Sequence, residues 1–299
     1  MKRYLIIPAL VIRCFLNALA QKKVIVADAV NRKALAFAEV QFATSGFYTT
    51  KEGVAILYDT ALYYTISYLG FETLEVNPKM LSKDTLYLNP KPLVLEEFIF
   101  QAYPHTRKVD FLTIPKKNYS GWPLQGSREV VTRIYPENEI VGVLKNVAFS
   151  FEKDIFKKPD KGSDEMALVR FNVYSNDSIL THLYSSKAIE IQANASEKVF
   201  LDLREDKLLM SEDGLAIGVE YLGQINSEGT ILTNEHVVYL SLSAERSPLY
   251  KQNTLVRSVF DNKAIIIPSL EKHFHAENLP HYKGDTRNLA IAFEVFTKE

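Results

Sequence analysis

Along residues 22–100, apolar and polar positions alternate in short runs: Val24-Ile25-Val26, Ala38-Glu39-Val40-Gln41-Phe42, Val54-Ala55-Ile56-Leu57, then residues 62–68, 85–88 and 93–100. Gly, Asp, Asn and Pro separate these runs, and no helical period survives for more than a turn. Side chains that alternate at period two, in runs rich in β-branched and aromatic residues, describe half-buried antiparallel strands. At a spacing of about 8–12 residues, such strands build a sandwich or barrel, and seven of them fit this span. Its centre is the stretch from Gly46 to Thr73, which reads as a turn, a strand, a second turn, a strand and a glycine corner. Gly53 is expected to take a positive φ in the tight turn, and Gly70 to bend the chain before Phe71 covers the core.

From residue 127 onward the same texture resumes in longer runs: 129–134, 141–151, 167–174, 189–191, 199–203, 215–221, 236–242, 255–260, 264–267 and 289–296. A second and larger sandwich follows. Between the two, residues 101–126 hold Pro104, Pro115, Lys116, Lys117, Gly121 and Pro123 and read as a linker. The expected order is a leader over 1–20, a first β-sandwich over 21–100, the linker over 101–126 and a second β-sandwich over 127–299. The fold class is all-β.

Particular residues carry a resemblance as well. Val26-Ala27-Asp28, Ala34 to Val40, Thr49-Thr50-Lys51-Glu52-Gly53-Val54-Ala55-Ile56, Ile66 to Thr73 and Leu93 to Phe100 follow one another in an order that resembles the carboxypeptidase-regulatory-like domain. That domain is a transthyretin-like sandwich found in cell-envelope proteins of the Bacteroidetes type. Ala27 and Phe37 stand where the family usually has Gly and Pro. The segments 147–151, 170–174, 200–203 and 216–221 resemble the jelly-roll-like region that follows it in envelope proteins. The resemblance implies a non-catalytic companion domain and no peptidase activity. Related domains also front TonB-dependent receptors, but a barrel of about 22 tilted strands does not fit in the remaining chain, so no transmembrane barrel is expected.

Met1-Lys2-Arg3, the apolar run after it and Ala18-Leu19-Ala20 form the pattern of a secretory leader ending before Gln21. Export to the periplasm or an outer-membrane-associated position is therefore expected. The single cysteine, Cys14, lies inside this leader, so the mature chain would carry no disulfide or cysteine nucleophile; Arg13 before it does not match a lipoprotein processing site. A net charge of -1 provides no field for nucleic acid. The mixture of cations with Tyr103, Phe111, Tyr119 and Trp122 in the linker therefore reads as a connector and not as a stacking platform for single strands.

Candidate chemistry is sparse. The chain has no His-Glu-x-x-His, no Gly-x-Ser-x-Gly, no phosphate-cradling loop and no dinucleotide fingerprint. His273 and His275, with Glu277 and His281, could face one side of an extended segment and hold a metal, but exposed loop histidines are ordinarily solvated, and that is the reading taken. Asp202 and Glu220 would make a glycosidase pair if brought within roughly 5–10 Å; strand alternation alone points both to solvent. Trp122 with Tyr119 fits either a sugar platform or a packing plug. Asn118, Asn176 and Asn194 begin chance glycosylation triplets. No catalytic, cofactor or metal residue is assigned. The expected function is non-catalytic binding or scaffolding in the envelope, with a glycan or another envelope protein as partner. The alternative is a glycan hydrolase or metal-dependent esterase using the second domain.

Overall fold

The computed structural model describes residues 21–91, 106–107, 120–137, 141–152, 166–192, 196–225, 231–232, 238–243, 249–261, 263–270 and 288–297. The expected leader, Cys14 and the run 93–100 lie outside them. The chain forms two compact units, Met1–Pro92 and Leu93–Glu299, and both are all-β.

The first unit holds β1 (Gln21–Asp28), β2 (Glu39–Phe42), β3 (Ser45–Tyr48), β4 (Val54–Tyr58), β5 (Tyr64–Ser67), β6 (Leu74–Val76) and β7 (Thr85–Leu88). They form a three-stranded sheet in the order β4-β1-β7 and a four-stranded sheet in the order β3-β2-β5-β6. Alternation decides which face is buried: Val24, Val26, Ala55 and Leu57 from one sheet meet Val40, Tyr64 and Ile66 from the other in a single core. The turn expected at Gly46 sits earlier, at Ala43 with φ +50, and Gly46 itself lies in β3 opposite Gln41. Ala43 forms the hairpin corner without the Gly or Asn that normally marks a positive φ, which is why the pattern misplaced it.

Buried polar atoms in this unit are satisfied locally. The Thr49 hydroxyl donates to the Leu35 carbonyl at 2.8 Å and accepts from the Ala38 amide at 2.9 Å, pinning the approach to β2. Phe37 adopts φ +58, a conformation closed to the proline ring, so proline could not replace it here.

In the second unit the first sheet runs β13-β12-β17-β10-β20-β21, with β14 beside β12 and β18 beside β17. Its strands are β10 (Arg128–Pro136), β12 (Met166–Ser175), β13 (His182–Ser185), β14 (Ile189–Gln192), β17 (Leu215–Ile225), β18 (Ile231–Leu232), β20 (Tyr250–Ser258) and β21 (Ile265–Ile267). The second sheet runs β22-β19-β11-β23-β8, with β15 and β16 beside β11 and β9 beside β19. It contains β8 (Thr106–Arg107), β9 (Ser120–Pro123), β11 (Gly142–Glu152), β15 (Glu197–Asp202), β16 (Leu209–Met210), β19 (Tyr239–Ser243), β22 (Asn288–Leu289) and β23 (Ile291–Thr297). Facing residues from both sheets fill one core, with the Phe149 and Phe171 rings stacked at 5.5 Å and nearly parallel.

Two expectations change here. Residues 120–123, expected within the linker, are strand β9, with Trp122 opposite Leu240 and packed against the second core. Gly121 reads as linker punctuation, but its hydrogen occupies a place where a Cβ would come within 2.6 Å of the Tyr239 Cβ, so it serves close strand approach. Strands β12 and β17 are buried on both faces over most of their length, so simple inward-outward alternation fails for them.

The two turn glycines of the first unit separate strain from crowding. Gly53 has φ +73, and a Cβ there would lie 2.8 Å from the Val26 carbonyl oxygen, whereas Gly70 has φ +82 with nothing within 4 Å. In urea unfolding, Gly70→Ala should cost about 1–2 kcal/mol from backbone strain alone, and Gly53→Ala about 2–4 kcal/mol because contact with fixed backbone adds to it. Equal losses would show that crowding at Gly53 is relieved elsewhere.

Candidate functional site

Strand register places four charged side chains in line across four neighbouring strands of the second unit. Arg170 on β12 stands opposite Glu220 on β17, Glu220 opposite Glu129 on β10, and Glu129 opposite Arg257 on β20. They share one face because all occupy cross-strand positions of the same row. The order of charge is plus, minus, minus, plus, and exposures are 7%, 2%, 1% and 3%.

Glu129 is the centre. Arg257 donates Nε–H to its Oε2 at 2.8 Å and brings Nη2 to 2.7 Å from the same oxygen, an ion-pair contact off the hydrogen-bond axis. Tyr174 donates its hydroxyl to Oε1 at 2.7 Å, and the Arg257 guanidinium lies 4.4 Å above the Tyr174 ring. The two adjacent carboxylates would repel one another, but Asn172 lies between them. Its Nδ2 donates to Glu129 at 2.9 Å and to Glu220 at 2.8 Å, while Arg170 approaches Glu220 to 3.9 Å. Gly218 makes the geometry possible, since a Cβ there would lie 2.1 Å from Glu129 Oε1. Burial, reinforced by Glu129, holds the Tyr174 phenol well above its ordinary range. For Arg257, burial is the largest single influence and pulls downward, but the charges and hydrogen bonds of Glu129 and Tyr174 together outweigh it and the net shift is upward.

A serine and a histidine extend the chain of bonds. With both Asn172 amide hydrogens directed at carboxylates, its Oδ1 accepts from the Ser185 hydroxyl at 2.6 Å. Ser185 then accepts from His182 Nε2 at 2.9 Å, and that nitrogen also lies 3.1 Å from the Tyr184 carbonyl. The tautomer follows from the network. An activated serine needs the opposite direction, with the imidazole accepting the hydroxyl proton. Both oxygens of Glu129 are engaged, so the row braces four strands and presents no free reactive oxygen there.

A different feature opens at one end of the same sandwich, where β10 and β12 finish and β17 begins. It is a pocket of about 530 Å³. Leu183, Leu209 and Leu215 supply apolar surface and Tyr135 an aromatic side chain, while Ser175, Asn176, Asp177 and the turn 211–214 supply polar groups. The turn is fixed from two directions. Gly214 holds φ +84 where a Cβ would meet the Ile134 carbonyl at 1.8 Å, and Asn176 donates Nδ2–H to the Asp213 carbonyl at 2.7 Å. Asp177 is engaged within its own loop, accepting from the Ser175 and Thr181 hydroxyls and the Thr181 amide. Burial is the largest single influence and raises its carboxyl, but those bonds together outweigh it and hold it below the usual value.

The residues singled out in the sequence fall elsewhere. Asp202 ends β15 in the second sheet, with a side chain 52% exposed and paired to Arg204, whereas Glu220 is buried in the first sheet. They form no pair, and alternation put Glu220 in solvent wrongly because the outer face of its sheet is itself covered. Its neighbouring carboxylate is Glu129, which was missed. The visible signal was a charge inside an otherwise apolar run, as in Val169-Arg170-Phe171 and Val219-Glu220-Tyr221; Glu129 follows Arg128 at the start of its run and gave no such signal. Trp122 packs against the core as a plug. Tyr119, Asn118, Asn194, His273, His275, Glu277 and His281 lie outside the described residues, among which no cluster suited to a metal ion occurs. Asn176, noted as a glycosylation triplet, is instead the tie across the pocket.

No family model and no curated protein matches the chain. The crystal structure of a DUF3823 family protein from Parabacteroides merdae ATCC 43184 is similar at 15% identity and a TM-score of 0.19, covering 75% of this chain and 96% of that one. A likeness at that TM-score bears on neither fold nor function.

The charge row should respond asymmetrically to substitution. Glu129→Gln leaves Arg257 buried without a counter-charge and should cost about 3–5 kcal/mol in chemical denaturation, while replacing Glu129 and Arg257 together by Leu and Met should cost less. A double variant no more stable than Glu129→Gln would show that the pair is not the dominant contact.

His182 should make stability fall in mild acid. Burial lowers its pKa to about 4, with Lys263 and Arg257 adding to that effect and Glu129 and Glu220 opposing it. The unfolded imidazole takes up its proton near pH 6.5, before the folded one does. The contribution is thus complete above about 6.5, declines as pH falls, and is gone by about 4; after solvent screening it amounts to roughly 2 kcal/mol. His182→Gln should flatten this part of the stability profile, and an unchanged slope would exclude His182 as its source.

Proposed function

We propose that the chain is an exported, non-catalytic envelope protein whose second unit binds a glycan in the pocket between Tyr135 and the turn 211–214. On this reading the first unit is regulatory-like and the second jelly-roll-like, as the residue order suggests, and the location is the periplasm or the periplasmic side of the outer membrane. The leader pattern of residues 1–20 supports export. No helix among the described residues is long and apolar enough to cross a membrane.

The observation that carries the proposal is the composition of the pocket. Sugars present an apolar ring face and a rim of hydroxyls, and a binding site answers with an aromatic side chain and rigidly held planar polar groups. Tyr135 is 39% exposed at the pocket, and Asn176 ties the opposing turn in position. The volume of about 530 Å³ accommodates one or two sugar rings. Loops at the end of a rigid sandwich are also where ligand contacts are commonly built.

The test is binding of the purified chain to an array of bacterial and host polysaccharides, followed by titration of the best ligand. Tyr135→Ala should weaken that ligand by about tenfold or more, and Asn176→Ala by several-fold through loss of the held turn, without loss of thermal stability comparable to that of Glu129→Gln. A blank array, or affinity indifferent to Tyr135, would overturn the proposal. EDTA sensitivity would instead direct attention to the His273, His275 and His281 segment.

A further inference from the structure

Building on that reading, we infer that the pocket selects glycans bearing free amines and rejects acidic ones. The inference rests on which polar groups remain unused once internal bonds are made. Asp177 has its oxygens engaged by Ser175 and Thr181, and Asn176 spends its amide on the Asp213 carbonyl. The Glu212 and Asp213 carboxylates are different. They stand at the two central positions of the turn closed by the Gly214 amide to the Ser211 carbonyl at 2.9 Å, and no hydrogen bond or ion pair from a described residue occupies either one.

Among the described residues the lining contains three carboxylates and no Lys, Arg or His, while Arg133 Nη1 donates to Asn176 Oδ1 at 3.5 Å. A neutral sugar covering Glu212 and Asp213 would remove water from two charges and return only hydroxyl donors. An ammonium returns opposite charge as well, and charge-assisted bonds are roughly twice as strong as neutral ones. An anionic sugar would bring like charge against a fixed acidic rim. Tyr135 adds to the same preference, since an aromatic face attracts a cation as well as a sugar ring. Leu183, Leu209 and Leu215 provide the apolar surface against which the ring can lie, so the occupant is an amine carried on a compact scaffold and not a bare cation.

Isothermal titration of the full chain with glucosamine oligomers, their N-acetylated counterparts and oligogalacturonides tests this directly. Two solvent-facing carboxylates should favour the free amine by on the order of tenfold over the acetylated form, with no measurable binding of the acidic oligomer. Raising the salt concentration should erode that preference while leaving the acetylated form unaffected. The isosteric variants Glu212→Gln and Asp213→Asn keep the turn, and combined they should reduce the preference to about threefold or less, by weakening the amine and by sparing the acetylated oligomer the desolvation of two charges. Equal binding of amine and acetylated forms would overturn the inference and leave glycan binding standing. Binding of none of the three, together with a blank array, would overturn both.

Discussion

The second unit depends on keeping the charge of Glu129 buried. A lone carboxylate in that position would be prohibitively costly to desolvate, and everything around it meets that cost: a guanidinium on one side, a phenol and an amide on the other, and a missing Cβ on Gly218 where the carboxylate lies. The contributors come from β10, β12, β17 and β20, so satisfying one charge fixes four strands relative to one another. A one-residue slip of any of them would turn its charged or amide side chain toward the apolar core containing Phe171 and Val219. The row thus acts on register more than on net stability, since buried ion pairs gain little over apolar packing.

Register then positions the pocket. Tyr135, Ser175 and Leu215 lie at one end of the same three strands that carry Glu129, Asn172 and Glu220. A slip in the middle of the sheet would displace each strand end by the rise of one residue, about 3.3 Å, and the Asn176 amide would no longer reach the Asp213 carbonyl. The buried network and the open end are thus two parts of one geometry, the first holding what the second presents.

Much of the architecture was legible because it follows from period two. The runs around Val24, Ala55, Ile66 and Phe171 are strands, Gly53 takes the positive φ expected of it, and Gly70, expected as a bend, is also at positive φ. What escaped was set by contacts remote in sequence. Gly121 looked like linker chemistry but serves strand approach to Tyr239, and Ala43 makes a hairpin corner without turn residues. Glu220 was read as solvated because alternation names two faces and cannot say that both are covered. Its partner lies on β10, about 90 residues away in sequence, and pairing of that kind is fixed by the fold and not by local pattern.

Residue type is therefore a poor guide to where this chain could act. Serine, histidine, tyrosine, arginine and two glutamates converge on one face of a sheet, a composition that reads as catalytic, yet each hydrogen bond traced through Ser185, Asn172 and Glu129 ends on another member of the group. The pocket has a plainer composition of leucines, serines and acidic turn residues, but Glu212 and Asp213 retain bonding capacity that no described neighbour uses. A ligand competes only for capacity that the fold has left open. That consideration supports proposing the end pocket over the richer constellation, and on that proposal the free carboxylates, and not the buried ones, select the ligand.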